Sequence, residues 1–354
     1  MDWTHVERGY EHLPKELSLR NGGHSFPLRI FRTTTYANKH GMQFSFLDRG
    51  AKENQMVTKY CSKPTLKMLE YLPHVLFSYN GLVVLESSPK SSYFIIYNPI
   101  TQEEIILKKL YSTGYICAIY FHSSTGEYRT MYAYRNCKAI THCWSYLIAG
   151  QSWNHWFHLR IATYAPPLKG GPVNINGFVY WMIDSKVIDY TAAIPPLCTA
   201  SIIAFDTETE EIRVMAHPGT TCSSCRDAQP YMNLLNVENS LVYARVYLKL
   251  IRIWVLEDST KWLWAKRYDI NLDFDVQQYP SVTNPHYYIK LFYIPDGQLL
   301  IYWDGVGLFQ YHLELKTFRK IDVIINGRDL MSYHRESLCW TSYTKSFESY
   351  IKTV

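Results

Sequence analysis

The sequence predicts an all-β chain, a β-propeller of about six four-stranded blades closed by a C-terminal strand. Three observations point there. Aromatic residues make up 16% of the 354 positions, with 30 Tyr, 15 Phe and 10 Trp, side chains that suit half-buried strands. A unit of four short apolar runs separated by tight-turn signals recurs along the chain, at the period of radial β architectures. No long amphipathic helix is written anywhere; residues 64–72 could form at most a short one.

The clearest unit spans residues 287–323. Residues 287–294 read as a strand, Pro295-Asp296-Gly297 as a turn and 298–303 as a second strand. Asp304-Gly305 turns again, 306–312 form a third strand, Glu314-Leu315-Lys316 turn, and 317–323 form a fourth. Asp-Gly between apolar runs is a strong hairpin signal, because glycine accepts the positive φ that matches strand twist. The same grammar runs through 75–109, with turns at Asn80-Gly81 and Asn98 to Thr101. It recurs in 114–159, with a Ser123-Ser124-Thr125-Gly126 turn, and in 173–215, with Asn176-Gly177 and a turn opening at Asp206. In 232–270 the turns fall at Glu238-Asn239-Ser240 and Glu257-Asp258-Ser259-Thr260. Residues 26–60 supply a looser set of strands, and the lone strand 338–343 is placed to complete that sheet and close the ring.

Composition narrows the function classes. Charged residues are 19% and the net charge is +5, from 36 basic and 31 acidic side chains. No block of five like charges occurs, and the richest basic stretch, 249–267, also holds Glu257 and Asp258, so a nucleic-acid partner is not expected. No window approaches 18 uninterrupted apolar residues, so no membrane partner is expected either. The charged start Met1-Asp2-Trp3-Thr4-His5 lacks a signal-peptide core. Eight scattered cysteines fit reduced thiols in a cytoplasmic or nuclear protein.

The search for chemistry returns little. Cys222-Ser223-Ser224-Cys225 has the spacing of half a zinc site, with Cys198 and His217 upstream, but no second close pair. His155 and His158 fall three apart, on opposite faces of a strand. Asp296 and Asp304 belong to turns, Asp206 sits where a side chain caps its own turn, and nothing sets Asp184 opposite Asp189. Trp254, Trp262, Trp264 and Trp303 read as inter-blade core. The expectation is no enzyme, no cofactor and no metal. The segment between Trp181 and Ser201 exceeds a hairpin turn and is rich in apolar residues. Within it Tyr190, Pro195 and Pro196 are the candidate partner-binding residues.

Several motifs stand in order along the chain. They are Phe77-Ser78-Tyr79-Asn80-Gly81-Leu82-Val83, Tyr97-Asn98-Pro99-Ile100-Thr101, and Ile119-Tyr120-Phe121-His122-Ser123-Ser124-Thr125-Gly126. Ser152-Trp153-Asn154, Asn174-Ile175-Asn176-Gly177-Phe178-Val179-Tyr180-Trp181, Ile203-Ala204-Phe205-Asp206-Thr207, Trp254-Val255-Leu256-Glu257 and Tyr343-Thr344-Lys345-Ser346-Phe347 continue the series. Together they resemble the F-box-associated domain of plant F-box proteins, a kelch-like propeller. The resemblance implies a protein-interaction module that recognises substrates for an SCF-type ubiquitin ligase. In such proteins an N-terminal F-box docks on the Skp adaptor. Here His12-Leu13-Pro14-Lys15-Glu16-Leu17 is similar to an F-box start, but Asn21-Gly22-Gly23 breaks any helix. Residues 1–25 are therefore read as a remnant without a complete F-box, 26–354 as the propeller domain, and Skp docking is not expected. The alternative reading is a carbohydrate-active or small-ligand-binding propeller.

Overall fold

The computed structural model describes 26 strands together with residues 109, 114, 123–126, 171–172, 176–177, 183, 201, 207–211, 216–219, 238–239, 247, 259–262, 272, 297 and 313–316. In chain order, β1 (Leu28–Tyr36), β2 (Lys39–Leu47) and β3 (Met56–Cys61) come first. β4 (His74–Tyr79), β5 (Leu82–Glu86), β6 (Tyr93–Tyr97) and β7 (Glu104–Lys108) make the next sheet. β8 (Tyr115–His122), β9 (Glu127–Arg135), β10 (Thr141–Leu147) and β11 (Trp156–Ala162) make a third. β12 (Val173–Ile175), β13 (Phe178–Met182), β14 (Ile202–Asp206) and β15 (Ile212–Met215) follow. β16 (Met232–Val237), β17 (Ser240–Val246), β18 (Leu250–Asp258) and β19 (Leu263–Asn271) form the fifth. β20 (Ile289–Ile294), β21 (Gln298–Trp303), β22 (Gly307–His312) and β23 (Thr317–Ile321) form the sixth. A small ladder, β24 (Ile324–Ile325) with β25 (Arg328–Asp329), precedes β26 (Cys339–Ser342).

Six four-stranded antiparallel sheets result, numbered here as blades one to six in chain order. The last strand closes the ring as expected. β26 pairs with β1, from Leu28 opposite Ser342 to Phe31 opposite Cys339, and so becomes the first strand of blade one. It lies beside β4, the first strand of blade two. A single blade cannot cover both its faces, so the described apolar side chains of blades two to six are buried between neighbouring blades.

The core is accordingly inter-blade. Val84, Phe94 and Ile96 of blade two meet Ile116, Tyr120 and Tyr132 of blade three, which in turn meet Trp181, Ile203 and Phe205 of blade four. Phe94 and Tyr132 touch edge to face with centroids 6.1 Å apart, and Tyr120 and Phe205 do so at 5.0 Å. The buried Trp181 indole donates to the Cys117 carbonyl at 3.0 Å, removing the cost of an unpaired N–H in the interior. Val242, Ile251 and Ile253 of blade five pack on Leu291, Ile301 and Trp303 of blade six. Between blades four and five, Tyr180 and Ile202 face Trp262 and Trp264.

One strand limit differs from the sequence expectation. The expected turn at Glu257 to Thr260 lies two residues later. β18 continues to Asp258, and Trp262 takes the positive φ of 55°. The Asp258 carboxylate sets that turn by accepting from the Thr260 and Lys261 amides at 2.9 and 3.0 Å. Residues 322–323, expected to end the strand that begins at Thr317, and the segment 64–72 lie outside the described residues.

Candidate protein-interaction surface

The turns of blades three to six meet along one rim and tie neighbouring blades together. Asn176 (φ 47°) and Gly177 (φ 80°) form the two-residue turn between β12 and β13, and Glu238 (φ 50°) and Asn239 (φ 61°) that between β16 and β17. Both residues of such a turn are left-handed, which Asn and Gly accept most readily. The Asn176 amide donates to the Asn239 carbonyl at 3.3 Å, and Asn236 donates to the Asn174 carbonyl at 3.1 Å. Tyr293 at the end of β20 donates its hydroxyl to Glu238 at 2.8 Å.

The junction of blades three and four carries the strongest tie. Glu210 (φ 56°) directs one carboxylate oxygen to the Tyr120 hydroxyl at 2.6 Å and to Arg129 Nη1 at 2.8 Å. The Arg129 side chain is 9% exposed and that of Glu210 14%. Arg129 Nη2 donates to the Thr125 hydroxyl at 3.3 Å, and that hydroxyl contacts His122 Nδ1 at 3.0 Å. Glu208 accepts from the Ser123 hydroxyl and, at 3.3 Å, from the Ser124 amide. The Ser123 hydroxyl bond is the main reason the Glu208 carboxyl sits below the usual carboxylate range. Asp206 caps its own turn as expected, accepting from the Glu208 and Thr209 amides at 2.9 and 3.1 Å. Burial, with the Asp206 charge adding, pushes the Tyr180 phenol up to about 12.

The opposite rim is where β13 ends at Met182, β15 at Met215 and β17 at Val246. At the end of β15 the buried His217 donates from Nδ1 to the Pro218 carbonyl at 2.8 Å and stacks on Tyr243 at 5.4 Å. Burial, then the Arg245 charge, lowers its pKa below the ordinary imidazole value against the pull of the Pro218 carbonyl. Beyond β17 the Tyr247 ring, 36% exposed, has the guanidinium carbons of Arg245 and Arg252 at 5.0 and 5.3 Å from its centre. Asp269 accepts from Lys266 at 2.9 Å and stands 3.5 Å from Arg252 Nε.

The residues singled out in the sequence divide as follows. Trp254 and Trp303 are buried and Trp262 and Trp264 half-buried at blade junctions, as expected of inter-blade core. The Trp262 indole donates to the Ala216 carbonyl at 2.6 Å, joining blade five to blade four. Tyr190, Pro195 and Pro196 lie outside the described residues, as do Cys198, Cys222, Cys225, His155, Asp184, Asp189, Asp296 and Asp304. Among the described residues no three metal-ligating side chains converge, and no helix is long and apolar enough to cross a membrane. Sequence reasoning missed the Arg129–Glu210 tie, which joins residues 81 positions apart. It also missed the Arg245, Tyr247 and Arg252 cluster. The one signal for that cluster was the basic stretch 249–267, which supplies Arg252 and Lys266.

Comparison with known proteins supplies the family. A model of the F-box associated beta propeller domain matches residues 32–341. An F-box protein of Arabidopsis thaliana is 24% identical over 335 residues, covering 82% of this chain and 74% of the relative. Among solved structures, the SapL1 lectin in complex with alpha methyl fucoside aligns over 86% of this chain and 98% of its own, at 10% identity and a TM-score of 0.43. A putative 6-phosphogluconolactonase of Bacteroides fragilis aligns over 88% and 83%, at 9% and 0.42. The acylaminoacyl peptidase of Pyrococcus horikoshii aligns over 85% of this chain, at 9% and 0.39, and the chain spans 46% of that peptidase. Likenesses at this level say nothing of what this chain does. With a family match spanning most of its length and a closed ring of four-stranded sheets, the chain belongs to the F-box associated β-propeller domains.

Proposed function

We propose that this chain is a non-enzymatic protein-recognition module of the F-box type, presenting a protein client for ubiquitination. The observation that carries the reading is the family match over residues 32–341. The F-box relative and the rim of turns that ties blades three to six together support it. A rigid ring carrying variable connections is the usual way a scaffold separates stability from specificity. On this reading the connection between β13 and β14 contributes anchors, with Tyr190, Pro195 and Pro196 as the residues that touch the client.

Proximity labelling in the native tissue with the full chain, alongside Tyr190→Ala, tests the proposal. A restricted set of labelled proteins, reduced at least fivefold by Tyr190→Ala at unchanged melting temperature, is the expected result. A labelled set identical to that of an unrelated propeller overturns the reading. The same experiment reads the adaptor. Because Asn21-Gly22-Gly23 interrupts residues 1–25, this chain is expected to co-purify with a Skp-type adaptor well below stoichiometric yield, and a stoichiometric complex refutes that.

A further inference from the structure

From Arg245, Tyr247 and Arg252 on blade five, we infer a docking point for an acidic, carboxylate-bearing segment of a protein partner. The inference rests on the reading of the chain as a protein-recognition module and names the chemistry it selects.

The register creates the site. Arg245 on β17 stands directly opposite Arg252 on β18, and Arg252 directly opposite Asp269 on β19. Side chains alternate along a strand, so Tyr243, Arg245 and Tyr247 share one sheet face. That face is apolar below, where Tyr243 meets His217 and Trp254, and cationic at the rim. The Tyr247 amide donates to the Leu250 carbonyl at 2.7 Å, fixing the ring beside both guanidinium groups.

Like charges directly opposite across a ladder are unfavourable on their own. Here Arg245, Arg252 and Lys266 stand against the single carboxylate of Asp269, a local excess of two positive charges. Asp269 serves Lys266 and Arg252, while Arg245 has no carboxylate among the described residues. The Arg252 and Lys266 side chains are 42% and 53% exposed, so an incoming group can reach them.

Three points decide what that group is. A guanidinium pair offers parallel N–H donors that match a carboxylate fork. Asp269 already shows a carboxylate seated on this ground, and a dianionic phosphate beside it would meet more repulsion than a second carboxylate. A nucleic acid would need cations spread along its backbone. The neighbouring cations are instead neutralised locally, Arg267 by Glu257 and Lys261 by Asp258. Tyr and Arg are also the residue types that dominate binding energy at protein interfaces.

The test uses the full chain, fluorescence polarisation at low salt, and a fluorescein-labelled decapeptide of alternating Glu and Tyr. Its Gln–Tyr counterpart, a phosphoserine version and a twelve-nucleotide thymidine strand serve as comparisons. The Glu–Tyr peptide should bind tightest, and Arg245→Gln with Arg252→Gln should weaken it at least tenfold. Lys261→Gln should leave it unchanged, and the double variant should melt close to the parent, because the like-charge pair it removes offsets the lost Arg252–Asp269 and Tyr247 contacts. Equal binding of the Gln–Tyr peptide, tighter binding of the phosphoserine peptide or the thymidine strand, or no loss in the double variant overturns the inference. Proximity labelling separates the two levels. A client set unchanged by the double variant sinks this surface alone, whereas no client set with the parent chain sinks the module reading.

Discussion

Replacing Glu210 by Gln removes one negative charge from the junction of blades three and four and keeps nearly the same shape. Arg129, 9% exposed, then loses the Glu210 carboxylate, while the Tyr120 hydroxyl retains an amide oxygen to donate to. Breaking a buried ion pair from one side costs about 3–5 kcal/mol, most of it the desolvation of the charge left behind. Unfolding entropy scales at about 2.1 cal/mol/K per residue, so for 354 residues this is a fall in melting temperature of roughly 4–7 °C. Tyr120→Phe removes only a hydrogen bond to a charged group and should cost about 1.5–3 kcal/mol. Arg129→Met combined with Glu210→Leu removes both charges and should cost far less than the single variants added together. Urea unfolding followed by Trp fluorescence, with scanning fluorimetry in parallel, measures the parent, Glu210→Gln, Tyr120→Phe, the double variant and its two component single variants. A fall below about 1 °C for Glu210→Gln, or strict additivity in the double variant, would show that the tie contributes nothing and refute the reasoning.

Three other outcomes follow from the same geometry. Deleting residues 336–354 removes β26 and leaves the first edge of β1 unpaired, so cooperative unfolding should be lost; a soluble deletion with a sharp melt would contradict closure by that strand. Gly114→Ala places a methyl within 1.7 Å of the hydroxyl of the fully buried Tyr132, and overpacking of that kind should cost about 1–3 kcal/mol in urea midpoint measurements. His217 resists protonation in the fold because of its burial and Arg245. Below its ordinary value of 6.5 the unfolded chain binds a proton that the native one refuses. Stability is then full above pH 6.5 and declines as pH falls through it. His217→Phe should flatten that slope between pH 7 and 5, and an unchanged slope would assign it to other groups.

The sequence showed the blades well because their signals are local. β21 begins and ends at the residues its apolar run and flanking turns indicate, Gln298 and Trp303. Asn176-Gly177 turns with the positive φ its composition requires. Closure was legible too, since an orphan strand beside an incomplete sheet has few other places to pair. The polar ties that join one blade to the next were not. Glu210 reaches Tyr120 across 90 positions and Arg129 across 81, and no periodicity records which turn will face which. Arg245 and Arg252 look unrelated until the register of β17 and β18 sets them side by side. The turn after Asp258 was misplaced for a smaller reason. Glu257 and Asp258 suit a turn by composition, but cross-strand pairing carries β18 through them and leaves Trp262 to take the strained φ.

The pairing of β26 with β1 sets the order in which a newly made chain can finish. Blade one holds β1, β2 and β3, made before the other described strands, yet its first position is filled by residues 339–342, some three hundred positions later. At about 5–20 residues per second, β1 waits roughly 15–60 s with one edge bare. Throughout that interval the ring is an open arc, and its exposed edge is the kind other chains pair with. A chaperone that holds β1 during synthesis would therefore raise the yield of closed rings. A ribosome that stops before codon 339 would release a chain open at its seam.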